Sequence, residues 1–283
     1  MATTPPPEPF SRSARRLRRD RAQPGYAAHD FLRAAMLEGI EERLAAVQRP
    51  LTDFLDLGSF EGAFMAPPGA RVARLDPGFA FARATGGVQG DEDRLPFADA
   101  SFDCVVSAGV LDQVNDVPGA LALARRVLRP DGLFLAAFVG AGSLPVLRAA
   151  LLEGESPRAV ARVHPQIDVR SAGDLLSRAG LTLPVADIEP LAVRYAGIGR
   201  LIEDLRGMGA TNLLKDTPPL TRTALARATE AFAARADADG RVTERFQIVF
   251  LTGWAPDPSQ PKPARRGSGK TSLADALRPE GPA

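Results

Sequence analysis

Acids and glycines at four places along the chain are of the types and spacing that hold a polar ligand. Asp56 ends the apolar run "FLDL"; Gly58 and Gly62 follow it in "DLGSFEG". Glycines there let backbone approach a ligand closely. Asp76 lies about twenty residues further on, at the end of a second run, "ARVARLD". A carboxylate at that distance suits vicinal hydroxyls, because it accepts two hydrogen bonds at once. Asp91, Glu92 and Asp93 stand together in "GDEDRLPFADASFD", ahead of a third run, where an acid can accept from an adenine amino group. Taken singly, Asp56 or Asp76 equally suits a helix cap. Their order, one acid after another along the chain, gives the pattern its weight.

These residues need elements to carry them, and strand and helix signals alternate through the middle of the chain. Residues 30 to 47 place Phe31, Leu32, Met36, Ile40, Leu44 and Val47 near a helical period. Strands are expected at "LTDFLDL", "ARVARLD", "SFDCVVSAG", "GLFLAAFVG", "PLAVRY" and "RFQIVFLTGW". Between them come helices, among them "PGALALARRVLR", opened by Pro118. Apolar residues on both parities of "GLFLAAFVG" fit a strand covered on both faces. Repeated β-α-β order predicts an α/β fold with a doubly wound, mostly parallel sheet, and its site beyond the carboxyl ends of the strands. A helical block at about 197–240 is expected as an insertion. The domain proper is expected over 29–256, between a flexible Pro-rich and Arg-rich arm (1–28) and a flexible tail (257–283).

Composition narrows the classes. The chain has 283 residues, 45% apolar and 24% charged, with a net charge of +1. Such a charge offers no general field for nucleic acid. One cysteine, Cys104, excludes an intramolecular disulfide and reads as a small core residue. His29 and His164 have no ligand-spaced partners, so no metal is expected. There is no 18-residue apolar run and no signal-peptide core, so a soluble cytoplasmic protein is expected. The "SRSARRLRRDRA" arm reads either as a solvated helix or as an arm for an acidic partner or an anionic membrane surface. "GSGKTS" near the end lacks the earlier glycine and the preceding strand of a phosphate loop, and is set aside.

Together, "LDLGSFEG", "RLDPG", "GDEDRLPFADASFDCVVSAGVLDQVNDVPGAL" and "LRPDGLFL" resemble a class I S-adenosylmethionine (SAM)-dependent methyltransferase, over roughly residues 52 to 139. The resemblance implies the Rossmann-like fold with an antiparallel last strand. It implies SAM as cofactor, its methionine part on Asp56, Gly58 and Gly62, its ribose on Asp76, and its adenine at Asp91 and Glu92; Ser107 joins this set. A narrower resemblance, in "RRLRRDRA", "VNDVPGAL", "DLRGMGATN" and "RFQIVFLTGWAP", is to bacterial relatives of the respiratory complex I assembly factors that hydroxylate a protein arginine. "GSLPVL" and "GMGATN" are also similar to the malonyl-[acyl-carrier protein] O-methyltransferases. The implied partners are a complex I subunit or an acyl-carrier protein.

The chain also departs from the pattern. Phe60 stands where such loops often have another glycine, and Pro67 and Pro68 shorten the helix expected after it. "LDQVND" places Asp112 and Gln113 where relatives have a histidine and an aromatic residue, which weakens cation–π contact to a sulfonium by about 0.5–2 kcal/mol. Asp112, Tyr195 and Asn212 are the candidate substrate contacts, and no residue is assigned to catalysis. The rival to an enzyme is a non-catalytic assembly or chaperone protein with a degenerate SAM site.

Overall fold

The computed structural model describes residues 8–158, 160–261 and 272; the "GSGKTS" run, Ser272 apart, and almost all of the expected tail lie outside them. Seven strands form one sheet in the order β3-β2-β1-β4-β5-β7-β6: β1 Asp53–Leu57, β2 Arg71–Asp76, β3 Val88–Gln89, β4 Phe102–Ala108, β5 Leu128–Val139, β6 Thr182–Tyr195 and β7 Val242–Trp254. β3, β2, β1, β4 and β5 pair in parallel, while β7 runs antiparallel between β5 and β6.

The pleat explains the unbroken apolar runs. Successive strand residues face opposite sides. Phe54, Cys104, Val106, Leu133, Leu135 and Phe250 enter one core, while Leu55, Val105, Phe134, Ala136, Val249 and Leu251 enter the other. Helices α2 (Phe31–Ala45), α5 (Pro145–Gly154), α7 (Ile198–Gly207) and α8 (Arg222–Ala233) contribute to the first core; α4 (Val117–Val127) and α6 (Val169–Arg178) contribute to the second. Helix α3 (Phe79–Ala84) follows β2. Asp116 caps α4 by accepting from the Gly119 amide at 2.8 Å, with Pro118 in its first turn. The expected insertion between the last two strands contains α7 and α8.

The structure departs from expectation at one end. In place of a flexible arm, the described part of residues 1–28 forms helix α1 (Arg12–Ala22) and a 3-10 turn at Gln23–Ala28. Ser11 caps α1 through the Ala14 amide, and Phe10 forms a bridge with Leu214 of the insertion. Arg15 and Arg19, expected as solvated or partner-facing, are only 4% and 1% exposed. No described helix is long and apolar enough to cross a membrane.

Candidate functional site

The carboxyl ends of β1, β2 and β3 bring the expected acids and glycines to one edge of the sheet, where β4 adds Ser107. Asp56 is fully buried in β1, and neither carboxylate oxygen has a hydrogen-bond partner. Among the described residues the guanidinium paired with it is that of Arg33, at 3.5 Å. Burial raises the Asp56 carboxyl above the ordinary carboxylate range, with Arg33 and Arg74 opposing. Ser107, in the adjacent β4, is equally buried and its hydroxyl is unpartnered. Gly58 turns the chain out of β1 at φ +72°, and a Cβ there would lie 2.1 Å from Val110 Cγ1. Only glycine fits that turn without strain. Gly62, at φ +75°, faces Arg74 and Thr85.

Phe60 also takes a positive φ, +47°, and its ring fills the space beside the turn. It stacks on Tyr26 at 4.8 Å and meets Phe81 edge-on at 5.4 Å, in a small cluster closed by Val110. Arg19 lies over the same ring at 3.9 Å from its centroid. That guanidinium donates to Asp76 Oδ2 at 2.8 Å, and Asp76 also accepts from the Phe60 and Gly78 amides. Burial raises the Asp76 carboxyl; Arg19 and the two amides oppose the rise. Further along the edge, Arg15 clasps Glu92 at 2.6 and 2.8 Å, Arg12 clasps Asp93, and Arg16 donates to Asp91 at 2.7 Å. Four arginines of α1 thus hold Asp76, Asp91, Glu92 and Asp93, while Asp56 faces Arg33 of α2.

A second feature, not foreseen from the residues alone, is a cavity of about 410 Å³ between the sheet edge and the insertion. Apolar side chains from α2, β5, α5, α7 and β7 dominate its wall. Asp112 and Asn212 line it, whereas Tyr195, the third candidate substrate contact, is 2% exposed in the core and lies outside the lining. The cavity's charges are Asp112, Arg18, Arg162 and Arg206. Arg162 is paired with Glu155. Among the described residues no carboxylate pairs with Arg18 or Arg206; Arg18 donates to the carbonyls of Thr211 and Asn212. His164 lines the same wall, held neutral by burial and by Arg18 and Arg15, which depress it to about 4. Its Nε2 accepts from the Leu213 amide at 2.9 Å. Cys104 is buried in β4, where burial pushes its thiol up and away from reactive use.

Known proteins share this architecture and sequence. Residues 55–136 match the methyltransferase domain family. By that domain match and by the relatives below, the chain is similar to the class I SAM-dependent methyltransferases. It is 38% identical over 193 residues to the mitochondrial arginine-hydroxylase NDUFAF5 of Danio rerio, a match covering 66% of this chain and 60% of that protein. It is 29% identical over 259 residues to a malonyl-[acyl-carrier protein] O-methyltransferase of Methylovorus, covering 84% of this chain and 86% of the relative. A SAM-dependent methyltransferase of Thermotoga maritima shares the fold, with a TM-score of 0.50, 14% identity, and coverage of 84% and 99% of the two chains.

SAM is the cofactor of this class, and the donor set at the sheet edge fits it. Asp56 and Ser107 leave three buried oxygen atoms unpartnered beside a glycine turn, where an ammonium or hydroxyl donor would satisfy them. Among the described residues no cluster of His, Cys, Asp and Glu could hold a metal.

Asp112 yields a stability prediction. Its Oδ1 is buried without a partner, and burial pushes the carboxyl from 3.8 up to about 6 despite nearby Arg15 and Arg19. The folded state then binds the proton more tightly than the unfolded chain. The contribution of Asp112 to stability is therefore full below pH 4 and is lost as pH rises towards 6. Asp112→Asn should leave stability at pH 4 unchanged and raise it at pH 7.5 by about 1–2 kcal/mol. Urea denaturation of both chains at the two pH values checks this; equal stabilities at pH 7.5 would contradict a buried carboxyl at Asp112.

Proposed function

We propose that the chain transfers the methyl group of SAM to an anionic, largely apolar acceptor presented in the 410 Å³ cavity by a protein or an acyl-carrier protein. The observation that supports cofactor binding most directly is Asp56, a fully buried carboxylate with neither oxygen hydrogen-bonded. Such a group is costly unless a ligand completes it. In this reading Asp56 and Ser107 receive the methionine ammonium, and Gly58 and Gly62 admit its backbone-like end. Asp76 takes the ribose hydroxyls, and Asp91 and Glu92 the adenine amine. When bound, SAM supplies a methyl group activated by its positive sulfur. The chain's task is then to orient the acceptor and exclude water.

The cavity supports the acyl-carrier acceptor over an arginine side chain. Among the described residues Arg18 and Arg206 have no carboxylate partner, and the one carboxyl of the lining is Asp112, whose neutral form burial favours. A carboxylate acceptor would pair with those guanidiniums and needs no base to become a nucleophile. The arginine-hydroxylase relatives support the other acceptor, a protein arginine, with a role in complex I assembly as part of that reading.

Methyl-labelled SAM, incubated with the chain and a malonyl-loaded acyl-carrier protein, should label the acyl group. Arg206→Glu should lower kcat/KM by about tenfold or more, since it places like charges together. Oxygen rather than methyl added to a protein arginine would place the chain with the hydroxylases instead.

A further inference from the structure

Of the acids expected to hold SAM, those that follow β2 and β3 are each engaged by an arginine of α1, whereas Asp56 is not. Asp76 Oδ2 takes Arg19 Nη1 and the Phe60 amide, at 2.8 and 3.0 Å, and Oδ1 takes the Gly78 amide at 2.7 Å. Both oxygens of Glu92 go to Arg15 and both of Asp93 to Arg12. Arg16 occupies one oxygen of Asp91. A carboxylate has about four lone-pair sites. A ribose diol needs two acceptor sites, and Asp76 has one left. Glu92 keeps free lone pairs but is 0% exposed, with both oxygens clasped by Arg15. Helix α1 must therefore move before a diol or an amine reaches either acid.

We propose that α1 is an autoinhibitory latch whose arginines compete with SAM for Asp76, Asp91 and Glu92. The inference rests on the cofactor reading above. Two features distinguish a latch from a permanent structural strut. First, the interface is incompletely satisfied: Arg15 Nε, Arg19 Nη2 and Asp91 Oδ1 are buried without partners. Each such atom carries an uncompensated desolvation cost, so the docked state is poised for exchange. Second, α1 is tied to the insertion. Arg18 donates to Thr211 and Asn212, Ser11 donates its amide to the Leu213 carbonyl at 2.9 Å, and Phe10 bridges to Leu214. Arg18 also lines the cavity. Movement of α1 thus uncovers the cofactor acids and alters the cavity wall together, coupling cofactor entry to substrate access.

Isothermal titration with S-adenosylhomocysteine tests this on the full chain and on a full-length variant carrying Arg12→Gln, Arg15→Gln and Arg16→Gln. Hydrogen exchange of residues 12–22 is followed with and without the ligand. The latch predicts at least about tenfold tighter binding by the variant, a shift of ~1.4 kcal/mol. It also predicts faster exchange of residues 12–22 in the unmodified chain when ligand is added. Equal affinities, with α1 still protected over bound ligand, would overturn the latch and leave the cofactor reading intact. No binding by either chain, with α1 exchanging freely in the variant, would overturn both. Should the variant not fold, the exchange response of the unmodified chain decides alone.

Discussion

Asp76→Ala should destabilise the fold by about 3–5 kcal/mol, because it strands a buried guanidinium. Arg19 is 1% exposed, and Asp76 is the carboxylate it meets. The Phe60 and Gly78 amides lose their acceptor in the same step. Adding Arg19→Met should recover much of the loss, since an apolar side chain of similar length stacks on Phe60 without an unpaired charge. Urea denaturation of the two single variants and the double variant gives the coupling directly. A cost below about 1 kcal/mol for Asp76→Ala would show that Arg19 is not held as described. The result also bears on ligand assays: loss of cofactor binding in Asp76→Ala is interpretable only beside its stability.

Gly58→Ala should cost about 2–5 kcal/mol, combining a left-handed backbone with overpacking. The new methyl would sit 2.1 Å from Val110 Cγ1, and Val110 is itself fully buried. Gly62→Ala is the control. Its backbone is also left-handed, but the nearest atom is Arg74 Nε, at 3.0 Å, on a long side chain. Its expected cost is about 1–2 kcal/mol. Thermal unfolding should rank Gly58→Ala well below Gly62→Ala; equal midpoints would mean that the turn relaxes away from Val110.

The sheet was legible because its central strands are apolar on both parities, and their order followed from β-α-β alternation. β6 was legible only in its second half. "TLPVADIE" carries Pro184, Asp187 and Glu189, and its residues are largely exposed at the sheet edge, so no apolar run announces it. β3 has only two residues, both exposed. In the site, Asp56, Gly58, Gly62, Asp76, Asp91, Glu92 and Ser107 converge as their positions after or within successive strands implied. Their partners were missed, although a signal was present. Arg12, Arg15, Arg16 and Arg19 fall at i, i+3, i+4 and i+7, one face of a helix. Read as a stripe, they match the acids at the sheet edge; read as a run of charge, they suggest solvent. The cavity could not be read, because its walls come from segments as distant as Arg18 and Phe246. Tyr195 looked like a substrate contact for its hydroxyl, yet packing against the core placed it elsewhere.

Calorimetric titration of S-adenosylhomocysteine into the chain carrying Arg12→Gln, Arg15→Gln and Arg16→Gln, with and without Asp56→Asn, tests the central claim most directly. Asp56 has no hydrogen-bond partner to lose, but its substitution removes the charge that faces Arg33 at 3.5 Å, so urea denaturation of the same chains separates ligand contact from folding. Saturable binding that weakens about tenfold or more with Asp56→Asn is the expected result. A folded chain that takes up no ligand at about 1 mM would contradict it, and would leave the acids of the sheet edge as a dock for α1 alone.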